Sequence, residues 1–594
     1  MNQRWSLKEL YESFKIEAFI EDMELCSEKI EKIKRWAMES LNGATEANSV
    51  AHGKSVIEQY ITLENEFGHI FEKLMSFSEL TSSVDAKNEE AIANIEKLEL
   101  MATELTVPRV SFMKWIGGLS NLSELIDSSD LLKAHKYYLL EIAENYKYLL
   151  SEKEEVVIAK MKNTGSNAWT KLQELASSTL LVDITIAGEE KHLPLPVVRN
   201  MAYEKDAFTR KNAYEAELNS YKRIEQSSAA ALNGIKGEVI TIASMRGYDS
   251  PLQKTVLDAR MDMETLDVML AAMKESLPIF HKYYRKKAEL LGYKNGLPFY
   301  DMFAPMGEVN MTYTYEQARE YIVNNFRKFS HKLADFADNA FENNWIDAEP
   351  REGKRGGAFC SNLHSIKASR VMTNFTGSFS DVITIAHELG HAYHGSCLEE
   401  ESYLNSNYPM PIAETASIFC ETIIKNAALK EASKEEAFAI LESSISDSGQ
   451  VIVDIYSRFL FESALFEKRK ESSVSANELK ELMLKAQKDA YGDGLDHNAL
   501  HPYMWICKPH YYYGDFNFYN FPYAFGLLFA KGLYAEYTNR GDAFVEEYDR
   551  LLSITGKSKV PDITKVMGID IHSIDFWRNS LKVIEKEIEE FVKL

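Results

Sequence analysis

His387 and His391 stand four residues apart in the run HELGH, residues 387–391. On a helix that spacing puts both imidazoles on one side, with Cβ atoms roughly 5–6 Å apart. Both can then reach one Zn²⁺ at about 2.0–2.1 Å. Glu388, beside the first histidine, is placed to act on metal-bound water without being a ligand. The chemistry implied is hydrolysis by activated water with a carboxylate as general base. The competing reading of the pentapeptide alone is an amphipathic helix with two buried, hydrogen-bonded histidines.

A catalytic zinc takes three protein ligands and keeps one position open, so a third donor is needed. The candidate is Glu414 in PIAETASIFCETI, 27 residues after His387. Pro409 and Pro411 close the preceding loop, and a helix is expected from about Ile412. Glu421, seven residues further on, shares its helical face. Two carboxylates on a largely apolar helix are costly unless they are paired or bind metal. Glu414 binding metal resolves one. Glu421 accepting the second N–H of a ligand histidine resolves the other. His394, one turn beyond His391, reads as a packed histidine or one that supports a ligand, rather than as a ligand itself.

The elements around these residues are legible. Ser378, with Asp381 three residues later, is a candidate capping box. VITIAHELGHAYH follows without proline, and Gly395 is the expected C′ residue. Gly390 costs about 1 kcal/mol against alanine inside a helix, and its missing side chain would permit close packing near the metal. Upstream, PREGKRGGAFC reads as a loop entering a strand. SRVMTNF (369–375) reads as another strand, ended by Thr376-Gly377-Ser378. An exposed edge there is a candidate rail for an extended peptide, held by main-chain hydrogen bonds. LVDITI and the turn Ala187-Gly188-Glu189 suggest a β-hairpin within 180–196. Elsewhere apolar residues recur at three and four, as in CSEKIEKIKRWAMESL, which predicts helix. Asn163-Thr164-Gly165 breaks that pattern, Pro278, Pro298 and Pro305 punctuate the middle of the chain, and the segment 491–526 is rich in aromatics.

With 594 residues the chain exceeds one hydrophobic core, so two or three subdomains are expected. Its 45% hydrophobic and 26% charged residues are an ordinary globular composition. A net charge of −23 repels phosphate backbones and argues against nucleic-acid partners. Five widely spaced cysteines without a CxxC pair argue against a disulfide framework and fit a reducing compartment. The N-terminal MNQRWSLKELYESFKIEAF has no apolar signal region, and no run of about 18 uncharged apolar residues suggests a membrane span. A cytoplasmic protein with no membrane partner is the expectation. No pattern defines an oligomeric state.

HELGHAYH followed by PIAETASIFCE resembles the zinc-binding region of the thimet oligopeptidase-like metallopeptidases, of the oligoendopeptidase F type. GSNAWTKLQELASSTL, RKNAYEAELNSY, LPFYDMFAPMG, GKRGGAFC and HYYYGDFNFYNFPYAFG carry the same family pattern, so the resemblance covers roughly residues 110–590. It implies a mainly α, two-lobed body around a deep substrate channel, with a small β-sheet beside the zinc-binding helix. It further implies a variable helical part over 1–110, a helical lobe with the hairpin over 111–200, and a catalytic domain over 201–594. The implied activity is endopeptidase cleavage of oligopeptides, with folded proteins excluded by the channel. One Zn²⁺ per chain would be held by His387, His391 and Glu414, with Glu388 as general base. In the related peptidases a histidine and tyrosines of the 510–523 stretch stabilise the transition state. Here His510 and Tyr523 are the candidates, with Tyr519 as the alternative, and several neighbouring rings are expected to be core. The competing class is a non-catalytic helical peptide-binding or scaffold protein. A degenerate site of that kind would be expected to have lost Glu388, which is present.

Overall fold

The computed structural model describes residues 1–41, 50–307 and 311–594. Helix dominates, as the three-and-four periodicity requires. On the helix Glu17–Ser40, Phe19, Met23, Cys26, Ile30 and Ile33 fall on one face and are all buried. That face packs on the long helix Val50–Val84, which also meets the helix Glu89–Thr103.

Two small sheets interrupt the helices. Strands β1 (Leu181–Ile186) and β2 (Glu189–Pro194) form the expected antiparallel hairpin. Its two turn residues, Ala187 and Gly188, have φ of 52° and 85°, the left-handed pair that a two-residue turn matched to strand twist demands. The other sheet comprises β3 (Ile346–Asp347), β4 (Phe359–Leu363) and β5 (Ala368–Met372), in the order β3-β5-β4. β5 is antiparallel to β4 and parallel to β3. SRVMTNF was expected to offer an exposed edge, and it does not. Its strand is central, paired on both sides and buried at every position. The strands with a single partner are the two-residue β3 and β4, the latter following the glycine loop.

The chain divides into two compact units, each gathered from three stretches. The first comprises Met1–Lys147, Asn310–Ala427 and Glu536–Ile569. Its N-terminal helices cover the three-stranded sheet, with Leu363 of β4 in one core with Phe67, Leu74 and Phe77. On that sheet also rests the helix Phe379–Ser396, hereafter the site helix.

The second unit comprises Tyr148–Val309, Ala428–Ala535 and Asp570–Leu594. Buried ion pairs tie its helices together. Lys236 Nζ lies 2.7 Å from Glu462 Oε1, and Lys287 Nζ lies 2.6 Å from Glu442 Oε1. Tyr283 donates a further hydrogen bond of 2.8 Å to Glu442. Such charges are tolerated inside only because each has its partner. Pro278, expected as punctuation, lies within the continuous helix Met263–Leu290. Its flanking residues Leu277 and Phe280 are buried, and packing holds the helix through the lost hydrogen bond. The helices Lys434–Gly449 and Ile455–Glu471 are joined by a π-helical turn, Gln450–Asp454. All five cysteines are free thiols. Among the described residues no helix is long and apolar enough to cross a membrane.

Candidate metal centre

The site helix starts at the expected capping box. Asp381 N–H donates to Ser378 Oγ at 3.2 Å, and the Asp381 carboxylate accepts the N–H groups of Ser378 at 3.1 Å and Thr376 at 2.8 Å. Three otherwise orphaned donors are thereby satisfied around the first turn. Gly390 then fixes how close the next element comes. A Cβ built on it would stand 2.5 Å from the Ala416 carbonyl oxygen and 2.6 Å from Ser417 Cα. The helix Thr415–Glu431 therefore approaches backbone to backbone. Gly395 was expected to end the site helix in a left-handed C′ position. The helix instead runs to Ser396, with Cys397 as its right-handed cap. Gly395 serves packing, since a Cβ there would lie 2.4 Å from Asn362 Cγ of β4.

This close approach brings His387, His391 and Glu414 together. Glu414 sits at the joint between the short turn Met410–Ala413 and the helix that follows. Its Oε2 is 3.3 Å from His387 Nε2 and 3.4 Å from His391 Nε2. One ligand atom from each residue falls within 4.8 Å of the others. Donors on a tetrahedral ion with bonds of about 2.0–2.1 Å are separated by roughly 3.3–3.4 Å, so the carboxylate stands at coordinating distance from both rings. The imidazole planes cross at 79° with centroids 5.0 Å apart.

Behind these donors lies a supporting layer. His387 Nδ1 is 3.2 Å from Glu421 Oε2, as the shared helical face of the two glutamates required. Glu421 is paired with Lys425 at 2.5 Å, and Ser417 Oγ donates to Glu414 Oε2 at 2.9 Å. Asn362 Nδ2 donates to the His391 carbonyl at 3.3 Å, tying β4 to the site helix. His394 is fully buried, stacked on Tyr408 at 4.0 Å, with Nε2 2.8 Å from Thr555 Oγ1. It is a packed histidine, as expected.

Opposite charges offset burial in this cluster. Burial disfavours a charged His387, yet Glu414 and Glu421 outweigh burial and raise its pKa to about 10. Burial also pushes the two carboxylates up, but His387 and His391 at Glu414, and Lys425 and His387 at Glu421, hold both well below the usual range. A proton on His387 is what this cluster draws in when no other positive charge is supplied. Glu388 is only 7% exposed. Burial raises its pKa against the pull of the two histidines. The Cys360 thiol of β4 is pushed up by burial and by Glu388 beside it.

His510, Tyr513, Tyr519 and Tyr523 belong to the second unit and form their own cluster. The His510 ring stacks on Tyr519 at 4.9 Å and 12°, and Tyr519 meets Tyr523 edge-on at 5.9 Å. Burial, with the positive charges of Arg458 and Lys508, lowers the His510 pKa. Tyr511 and Tyr512 are fully buried core. The segment is anchored from below. Lys236 Nζ donates to Asn517 Oδ1 at 2.8 Å, and Phe518 N–H donates to Glu462 at 3.1 Å. Sequence reasoning missed these anchors, together with Asn362, Ser417 and Lys425. Only Lys425 had a local signal, its i,i+4 spacing from Glu421.

Two histidines on one helix and a glutamate at the start of a second, within a mainly helical body, form a donor set able to hold a metal ion. Residues 200–583 match the profile described as Peptidase family M3, and residues 120–180 match the one described as Oligopeptidase F. The chain belongs to peptidase family M3, and this membership implies metallopeptidase activity on oligopeptides. It is 23% identical to oligopeptidase PepF of Bacillus subtilis across 99% of this chain and 87% of that one. It is 29% identical to the chromosomal oligoendopeptidase F of Lactococcus lactis subsp. cremoris, over 65% of this chain and 64% of that protein's length. Among solved structures, the Enterococcus faecium oligoendopeptidase F superposes with a TM-score of 0.70 at 17% identity, covering 96% of this chain and 99% of that one. That likeness speaks for the fold.

Proposed function

We propose that the chain is a zinc endopeptidase that cleaves internal bonds of short oligopeptides in the cytoplasm. His387, His391 and Glu414 hold the ion, and Glu388 is the general base. The observation that carries this reading is the pair of 3.3 and 3.4 Å separations between Glu414 and the two imidazoles. Two imidazoles and one carboxylate are a donor set zinc favours, with one position left for water or substrate. Zinc bound there supplies Lewis-acid polarisation and lowers the pKa of a bound water towards about 7.

The protein's own groups do the remaining work. With Glu421 accepting the Nδ1–H, His387 is held in the tautomer that leaves its Nε2 lone pair free for the metal. Glu388, desolvated and with raised proton affinity, takes the proton of the attacking water and passes it to the leaving amine. His510 and Tyr523, with Tyr519 as the alternative, donate hydrogen bonds to the developing oxyanion. The His510 imidazole carries an N–H for that purpose. The singly paired strand β4, rather than β5, offers its edge to an extended substrate. Residues 201–594 carry this machinery, 111–200 the hairpin lobe and 1–110 a helical cover.

Glu388→Gln tests the reading. Turnover of a quenched-fluorescent decapeptide should fall by about 10²–10⁴-fold or more, with fold and bound zinc retained. Unchanged turnover removes the mechanism. A zinc-loaded wild type that binds the peptide without cutting it would establish the scaffold alternative.

A further inference from the structure

A cavity of about 910 Å³ lies wholly within the second unit. That size suits a peptide segment or small ligand. Pro509, Tyr512 and Tyr513 form part of its wall, and the Tyr513 ring meets that of His510 at 5.9 Å. The cavity therefore adjoins the segment assigned above to transition-state stabilisation.

Several charges in the wall are neutralised in place. Lys287 is paired with Glu442 at 2.6 Å, Arg210 with Asp301 at 2.6 Å, and Arg199 with Glu217 at 3.2 Å. Asp454 is held by Arg458 and accepts a hydrogen bond from Tyr491. Lys508 differs. It lines the cavity, and among the described residues its ammonium has neither a hydrogen-bond nor an ion-pair partner. Burial and the like charges of Arg458 and Arg199 work against it, with Asp454 opposing only in part. Two other wall residues carry unpartnered polar atoms, Gln173 Oε1 and His501 Nδ1, on side chains only 4% and 2% exposed. The rest of the wall includes Leu195, Val198, Phe303 and Ile506. Polar atoms buried without partners are costly, and a ligand that supplies the partners recovers that cost. An apolar body suits the wall, a peptide N–H suits Gln173 Oε1, and a carboxylate suits Lys508.

We propose that this cavity is a substrate subsite in which Lys508 holds a carboxylate of the oligopeptide. The proposal rests on the peptidase reading. A carboxylate can come from the free C-terminus of the peptide or from an acidic side chain within it.

The test measures kcat/KM on two pairs of fluorogenic peptides. One pair differs only in a C-terminal acid or amide. The other is amidated throughout and carries Glu or Gln at single positions after the scissile bond. The wild type should prefer the carboxylate member of at least one pair by roughly tenfold or more, the usual weight of a charge-assisted bond. Lys508→Met should abolish that preference and Lys508→Arg should keep most of it. Loss on the first pair assigns the C-terminus, and loss on the second assigns a side chain. General damage to nearby His510 lowers both members alike and leaves the ratio intact. A wild type without preference, or a preference that survives Lys508→Met, overturns the subsite while leaving the peptidase reading in place. A Glu388→Gln variant as active as wild type would sink that reading instead.

Discussion

Gly390 and Ala416 touch through their backbones: a Cβ on the glycine would stand 2.5 Å from the Ala416 carbonyl oxygen. The two helices that supply the donors are thus set apart by a distance only glycine allows. A residue that weakens a helix in isolation is here the one that assembles the site.

Gly390→Ala should therefore damage the centre although it favours helix. The propensity gain of about 1 kcal/mol is set against overpacking that typically costs 1–3 kcal/mol. The backbone contact cannot yield without moving Glu414. Zinc affinity should drop by about tenfold or more, read by competition with a fluorescent chelator, with net stability unchanged or lower by denaturant unfolding. Unaltered zinc affinity would contradict the account of the helix spacing.

Glu421→Gln should weaken zinc binding by about 10–100-fold, the usual effect of losing a partner behind a metal-binding histidine. The His387 ring would lose the carboxylate 3.2 Å from its Nδ1. Added zinc should restore much of the activity, which a direct loss of general base would not permit.

Lys236→Met should destabilise the second unit by about 3–5 kcal/mol, because it leaves Glu462 buried without its counter-charge. It also removes the donor to Asn517, so the His510–Tyr523 segment loses an anchor and kcat should fall even where the protein stays folded. The double variant Lys236→Met, Glu462→Leu should recover part of the stability. Denaturant midpoints of the wild type and the two variants decide the point.

His394 gives a pH dependence with a definite sign. Burial, helped by the charge of His391, lowers its pKa to about 3 in the folded chain, against about 6.5 unfolded. The unfolded state binds the proton more readily, so stability is full above pH 6.5 and is lost as pH falls towards 3. By pH 5 the loss from this residue is about 2 kcal/mol. His394→Gln should be less stable than wild type near pH 7.5, having lost its fit against Tyr408, but should lose about 2 kcal/mol less on going to pH 5.

What could be read in advance was local. Histidines four apart and a Ser378–Asp381 box are helix geometry, and each is present at its expected place; Glu414 and Glu421 both face His387, although Glu414 stands at a joint between two helices rather than within one. What escaped depends on neighbours distant in sequence. SRVMTNF reads as a strand, but only the arrival of Ile346–Asp347 makes that strand central. Gly395 carries the composition of a helix end, yet its role is decided by Asn362 across the sheet. The Lys236–Glu462 pair joins residues 226 positions apart, and no period marks either partner.

Each unit is assembled from three separated stretches, and the site helix is packed by Thr555, which arrives some 160 residues after the histidines have been made. Neither unit is therefore a single contiguous stretch of the sequence. During synthesis His387 and His391 leave the ribosome long before Thr555, which packs their helix. A nascent chain stalled between residues 415 and 535 holds all three clustered side chains but lacks the Glu536–Ile569 stretch of their unit, so the site helix gains its last packing late, when almost all of the polypeptide is free.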